Sequence, residues 1–280
     1  MADRDQRAFW TEEAGPKWVA RMAAMDATLQ PVLDLMLDSA SLTHGAHVLD
    51  IGCGAGTSTL EASMRVGDGG SACGADISRT LLGAARDRAG GLANVSFLLA
   101  DAQSHRFEAN RFDRMISRFG TMFFEDFSAA FANIARALKP NGTMTFVTWG
   151  AIPENAYFTL PARVARQELG AAPKSNPDDP GPFALREADR VQSILADAGL
   201  SEPQVEEVRL DLTPKGDALA VAELLCEIGP AQKALDHFKA TPPERARLTE
   251  AIARALEPHA TPDGIRLPAL INLCTARKAA

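Results

Sequence analysis

Residues 48–60 read Val-Leu-Asp-Ile-Gly-Cys-Gly-Ala-Gly-Thr-Ser-Thr-Leu, and their spacing suits the binding of a cofactor. Gly52, Gly54 and Gly56 alternate with other residues, so the backbone can turn tightly and come close to a bound molecule. Thr57, Ser58 and Thr59 then suit the start of a helix, whose first N–H groups lack partners within the helix and point back at the loop. Asp50 stands just before the glycines and would repel a pyrophosphate, while Thr57 occupies the place where a dinucleotide fingerprint has its third glycine. A cofactor with a cationic head and no phosphate is easier to place. Two further acids, Asp76 and Asp101, follow later apolar runs and would lie at the same edge of a sheet.

S-adenosylmethionine meets that description. It carries a sulfonium and an ammonium group, and its adenosine calls for an acid at the ribose hydroxyls. Groups for moving a proton are scarcer. His44 and His47 precede the first strand and His105 follows the third; His105 is the weak candidate base, and the base is otherwise left unassigned. Cys53, Cys73, Cys226 and Cys274 form no C-x-x-C pair, so neither a zinc site nor a redox motif is expected. Glu125 and Asp126 begin a helix, where negative charge favours the macrodipole, and no metal site is expected there.

These residues need elements to hold them. The run at 48–51 reads as a buried parallel strand and 57–66 as a helix; strands at 71–77 and 95–99 and a helix at 79–89 follow. A strand at 112–117, a sheet-covering helix at 126–138, a stop at Lys139-Pro140-Asn141-Gly142 and a strand at 143–149 complete the alternation. Asn141 stands where a left-handed backbone is needed. Before this unit, residues 9–37 read as helix interrupted by Gly15-Pro16, with Pro31 starting a second helix at 32–37. Trp10 and Trp18 in this segment suit either core packing or a lid. After Gly150 the spacing predicts helices at 158–169 and 186–198, a Pro/Gly-rich loop at 173–182 and a strand at 205–212. Two or three helices across 217–256 and a last strand within 265–275 end the pattern.

Composition narrows the partner. With 280 residues, 46% hydrophobic and 23% charged, the chain can bury a large core. A formal charge of −7 without a compensating basic cluster disfavours nucleic acid and anionic membranes, and points to a small molecule. The charged start, residues 1–7, leads into no apolar export signal and no run reaches membrane-spanning length, so a cytoplasmic protein is expected.

Residues 48–60, Asp76, Asp101 and residues 139–142, in this order, resemble the motifs of class I S-adenosylmethionine-dependent methyltransferases. Within that class the sequence is most similar to the ubiquinone-biosynthesis-like (type 11) small-molecule branch. The resemblance is firm over residues 45–150. It implies an α/β, Rossmann-like, seven-stranded, mostly parallel sheet with helices on both faces. The whole chain would be one domain, with a helical lid over 1–44, the cofactor core over 45–150, and substrate or lid insertions with the last two strands over 151–280.

The same resemblance implies residue roles. Gly52, Cys53 and Gly54 pass their backbone against the methionine part, Thr57 follows them, and Asp50 supports the loop and the amino group. Asp76 takes both ribose hydroxyls, Ile77 lies against adenine, and Asp101 and the Ala102 N–H reach the adenine edge. Trp18, Arg118 and Phe119 complete the cofactor contacts. Phe119, Met122, Phe123 and Phe124 form an apolar cluster facing the acceptor, with core packing claiming one or two of them. Phe119, Phe123 and Tyr157 are the expected substrate contacts, and an apolar or aromatic acceptor is favoured. Arg118-Phe119-Gly120-Thr121 stands where nitrogen methyltransferases of the Asn/Asp-Pro-Pro-Tyr kind have their motif, which disfavours planar amino-group acceptors. The helices within 217–256 suit a lid or the face of a homodimer. Two other readings remain at this point: an NAD(P)-dependent oxidoreductase, and a non-catalytic cofactor-binding or interaction protein.

Overall fold

Apolar runs alternating with helical periodicity over the first half of the chain fold into a parallel sheet, as their order requires. The computed structural model describes residues 6–173 and 175–280. Residues 1–5, part of the charged start on which the absence of an export signal is read, lie outside the described residues, as does Lys174 of the Pro/Gly-rich loop.

The described chain begins with α1 (Gln6–Ala8), a π-helical turn over Phe9–Glu13, α2 (Ala14–Ala20) and α3 (Met22–Ser39). Strands β1 (His47–Ile51), β2 (Ser71–Asp76), β3 (Val95–Leu99), β4 (Phe112–Arg118) and β5 (Leu138–Trp149) follow, interleaved with α4 (Thr57–Val66), α5 (Arg79–Ala89) and α6 (Phe127–Ala137). Next come α7 (Ala156–Leu169), α8 (Ala188–Asp197), β6 (Leu200–Leu212), α9 (Ala218–Leu225), α10 (Pro230–His237) and α11 (Pro242–Leu256). A small hairpin, β7 (Ala260–Thr261) with β8 (Gly264–Ile265), leads into β9 (Leu267–Lys278).

Seven strands form one sheet in the order β3-β2-β1-β4-β5-β9-β6. The first five are parallel, and β9 runs antiparallel to both β5 and β6. The C-terminal ends of β1, β2 and β4 therefore share one edge, and the order reverses at β1, where open α/β sheets leave a crevice for ligands. Val48, Leu49 and Ile51 are fully buried, as a strand covered on both faces demands. Helix α3 buries Met25, Leu29, Val32, Leu33, Met36 and Leu37, one stripe at helical spacing, and packs against β4, β5 and β6. No helix among the described residues is long and apolar enough to cross a membrane.

Several boundaries differ from the sequence expectation. Pro31 does not start a helix; α3 runs straight through it. A proline there leaves the Ala27 carbonyl, four residues earlier, without its usual donor. The Thr213 hydroxyl donates to that carbonyl at 3.1 Å, which keeps the helix continuous. Nor does Gly15-Pro16 interrupt the first helical segment. It lies inside α2, and the change of direction falls at Arg21 instead. Strand β5 begins at Leu138, earlier than expected, and its pairing with β4 jumps from Phe112↔Leu138 to Arg114↔Thr143, so residues 139–142 bulge outward. Asn141 has φ +63°, the left-handed backbone its position requires. Strand β6 also begins early, at Leu200, with a register shift at Ser201/Gln204 that sets Glu202 at φ +53°.

Candidate active site

The loop between β1 and α4 is shaped by contact with its neighbours. Gly52 has φ +65°, and a Cβ built on it would lie 2.5 Å from the Gly120 Cα, so the loops after β1 and β4 touch backbone to backbone. Ser117 fixes that approach: its hydroxyl donates to the Ile51 carbonyl at 2.7 Å and accepts from the Gly120 N–H at 3.2 Å. On the other side, the Gly52 and Cys53 N–H groups both donate to the Ala75 carbonyl of β2. The loop is thus held between β2 and β4.

Asp76, the last residue of β2, is buried and aims both oxygens at backbone N–H groups, Gly54 at 2.8 Å and Ser78 at 2.8 Å. Burial pushes its carboxyl above the usual range, and these two N–H groups pull it back. The Ile77 N–H adds to this pull, and the carboxylate still has acceptor capacity for a ligand hydroxyl. Asp101 forms a turn instead: its carboxylate accepts from the Gln103 N–H at 2.9 Å and from the Ser104 hydroxyl at 3.2 Å. Ala102 is buried, and its carbonyl accepts from Asn133 of α6 at 2.9 Å. Ile77 is half-buried beside Asp76.

Asp50 is fully buried. Its Oδ2 accepts from the Ser58 and Thr59 hydroxyls, both at 2.6 Å, while Oδ1 has no hydrogen-bond partner. Burial pushes the carboxyl up to about 6 against the pull of those hydroxyls and of Arg118. Arg118 ends β4, and its Nη2 lies 3.3 Å from Asp26 Oδ1 of α3, while its Nη1 is buried and unpartnered. Asp26 is held more firmly elsewhere, by the Thr57 hydroxyl at 2.7 Å and Arg88 at 3.1 Å. Arg88 also donates to the Ala55 carbonyl at 3.0 Å and to Thr57 at 2.9 Å. One unpaired carboxylate oxygen and one unpaired guanidinium nitrogen at the same sheet edge fit a ligand bearing both an ammonium and a carboxylate group.

Aromatic rings gather beyond the end of β4. Phe119 has φ +64° and stacks on Trp149, with ring centroids 4.2 Å apart and planes 6° apart. The Tyr157 ring lies parallel to Trp149, with centroids 6.4 Å apart; it is buried, and its hydroxyl donates to the Met25 sulfur at 3.5 Å. Of the cluster after β4, Met122 and Phe124 belong to the core, whereas Phe119 and Phe123 are half-buried. Phe123 meets the Trp10 ring edge-on at 5.1 Å, and Trp10 meets Trp18 at 6.3 Å.

The histidines lie elsewhere. His47 begins β1 and bonds Ser71, which begins β2, so it sits at the opposite edge of the sheet. His44 packs on Gly67, past the C-terminal end of α4. The His105 ring lies edge-on to Phe107 at 4.7 Å, and its carbonyl accepts from Asn133. Among the described residues, no group of three or more His, Cys, Asp or Glu is arranged to hold a metal.

Several residues here carry no motif in the sequence. Asp26 and Arg88 are ordinary helix residues until the fold brings them to Thr57. The cover is less hidden, because Gly-Pro within a helical run is a signal. A Cβ on Gly15 would lie 2.0 Å from the Trp10 carbonyl, so the π-helical turn requires glycine there. In an i→i+5 turn, Pro16 leaves the Thr11 carbonyl without a donor. The Ser78 and Thr80 hydroxyls donate to the Trp10 and Thr11 carbonyls, each at 2.8 Å. The segment thereby docks beside Asp76.

Comparison with known proteins agrees with this geometry. Residues 48–142 match the family described as "Methyltransferase domain". Nocamycin O-methyltransferase of Saccharothrix syringae is 36% identical over 115 residues, covering 40% of this chain and 41% of that protein. Demethylmenaquinone methyltransferase of Staphylococcus aureus is 34% identical over 98 residues, covering 35% and 41%. The alignments thus span about two-fifths of the length of these curated relatives. Among solved structures, phosphoethanolamine N-methyltransferase 2 of Haemonchus contortus with S-adenosyl-L-methionine superposes with a TM-score of 0.62 at 20% identity, covering 99% of this chain and 61% of that one. Residues 48–142, with the glycine loop and the acid ending β2, thus match a methyltransferase domain, and the sheet around them has the fold of a solved methyltransferase that binds S-adenosyl-L-methionine.

Proposed function

We propose that this protein transfers the methyl group of S-adenosylmethionine to a small-molecule acceptor with an apolar or aromatic surface. The observation that carries this reading is the convergence on one sheet edge of the loop over residues 52–56, the Asp76 carboxylate and the unpaired Asp50 oxygen. The small molecules in the names of relatives, nocamycin and demethylmenaquinone, are consistent with a small-molecule acceptor.

S-adenosylmethionine supplies an activated methyl group and leaves as the neutral thioether S-adenosylhomocysteine. The chain's own residues bind and orient. Gly52, Cys53 and Gly54 present backbone, Asp50 attracts the ammonium, Asp76 receives ribose hydroxyls, and Ile77, Asp101 and the Ala102 N–H face the adenine. Phe119, Phe123, Trp10 and Trp18 provide half-buried aromatic surface that excludes water from the acceptor. Tyr157 backs that wall through Trp149. With His44 and His47 at the far edge and His105 turned onto Phe107, positioning of the nucleophile does most of the work.

Calorimetry against S-adenosylhomocysteine and NADH tests the cofactor, and transfer of labelled methyl to a small-molecule metabolite extract tests the reaction. Binding of the first ligand alone, with label appearing in a product, is expected. Tight binding of NADH alone would sink the proposal; cofactor binding without any labelled product would favour a non-catalytic binding protein.

A further inference from the structure

We propose that Arg118 is the residue through which this chain demands an intact α-carboxylate on its cofactor, with Asp26 as the positioning residue that holds the guanidinium in place. The proposal rests on the reading above in one respect, that the bound molecule is an adenosyl amino acid.

Two buried charges lie at this edge of the sheet. The Arg118 side chain is 10% exposed, and its Nη1 has no hydrogen-bond partner. Asp50, on the neighbouring strand, is 0% exposed and leaves Oδ1 equally alone. Strands β1 and β4 pair in register Asp50↔Ile116, so Arg118 emerges two residues further along at the same edge, against the loop that Gly52 and Gly120 bring together. Leaving a buried donor and a buried acceptor unmade is costly, and more so when both are charged. An α-amino acid in its zwitterionic form carries one complement to each: ammonium for Asp50, carboxylate for Arg118.

The geometry around Asp26 says why the residue is arginine. Nη2 touches Asp26 Oδ1 at 3.3 Å, a long contact, whereas Asp26 is tied at 2.7 Å to Thr57 and at 3.1 Å to Arg88. Asp26 is therefore anchored without Arg118 and only steers it. A planar guanidinium can serve two carboxylates side by side, Nη2 on Asp26 and Nη1 on the ligand, and so screens their mutual repulsion; an ammonium is a single point without that fixed pair of nitrogens. Because Asp26 keeps its other partners, removal of the Arg118 head leaves α3 docked on the glycine loop.

The experiment is a ligand truncation series read by calorimetry on the full chain. The ligands are S-adenosylhomocysteine, its decarboxylated form S-adenosyl-3-thiopropylamine, and 5′-methylthioadenosine, which lacks the amino acid altogether. Arg118→Met should weaken S-adenosylhomocysteine binding roughly ten- to a hundredfold and leave the two truncated ligands within about twofold of wild type. Arg118→Lys should recover only part of the loss. Equal weakening of all three ligands would reduce Arg118 to a structural prop, and a loss below about threefold for S-adenosylhomocysteine would remove it from the carboxylate; either result overturns the proposal. Wild-type protein that binds none of the three would instead defeat the methyltransferase reading on which it rests. Thermal melts of each variant show whether the fold is kept.

Discussion

Asp50 is a carboxylate that burial makes harder to ionise in the folded protein. Burial raises it to about 6, whereas in the unfolded chain it titrates at the ordinary value near 4. Between those values the native state holds a proton that the unfolded state has released, so stability falls as pH rises through this window, and above it the full cost is present. Asp76 is shifted the same way by burial and adds in the same direction. Asp50→Asn keeps an acceptor for Ser58 and Thr59 and removes the buried charge. At pH 7.5 the ligand-free variant should be at least as stable as wild type in urea melts, by up to on the order of 1–3 kcal/mol, and its stability should be flatter between pH 4 and 6. Its affinity for S-adenosylhomocysteine should nonetheless fall, because the neutral amide no longer attracts an ammonium. A variant that loses stability at pH 7.5 would mean that the surroundings of Asp50 stabilise its charge rather than penalise it. Asp76→Ala should cost about 1–3 kcal/mol of cofactor affinity by calorimetry. Since the same carboxylate holds the Gly54 and Ser78 N–H groups, part of that loss should reappear as a lower melting temperature.

At the level of elements, α3 gives the sharpest contrast between what pattern reading can find and what it cannot. Helical character on both sides of Pro31 is legible in the sequence, as are the central strands, because each is a local run; the stripe that α3 buries is not, because it runs across the proline. Nor is the continuity of α3 through Pro31, since the donor that rescues the Ala27 carbonyl is Thr213, 186 positions away. The same holds at the site: Gly52, Gly54 and Asp76 lie in a contiguous or near-contiguous motif, while Asp26, Arg88 and the carbonyls of Trp10 and Thr11 acquire their roles only through tertiary contact. Thr213→Ala should cost about 1 kcal/mol, and the cost should shrink in a Pro31→Ala background, where the helix regains its own donor. Additive losses in that cycle would show that Thr213 acts through something other than the freed carbonyl. Gly15→Ala meets the Trp10 carbonyl head-on. Hydrogen exchange should then report faster opening of residues 9–20 with the sheet amides unchanged.

Across the whole molecule, the N-terminal segment is also joined to the helices beyond the sheet. Arg21 pairs with Glu227 through two hydrogen bonds, and Lys17 lies 3.9 Å from Asp236. Such exposed pairs are worth about 0.2–1 kcal/mol each and are screened by salt. Arg21→Ala, or wild type at high ionic strength, should therefore raise the opening rate of the segment only a fewfold, whereas loss of the Ser78 and Thr80 contacts should raise it more.

The docking of Trp10 and Thr11 onto Ser78 and Thr80 bears on time as well as on affinity. The backbone beside the Asp76 turn is fastened to the turn itself by two hydroxyl bonds, with the Trp10–Phe123 ring contact alongside. On the methyltransferase reading, the expected consequence is a longer dwell time: Ser78→Ala combined with Thr80→Val should speed release of S-adenosylhomocysteine in stopped flow, and an unchanged release rate would show that undocking of the segment does not limit it.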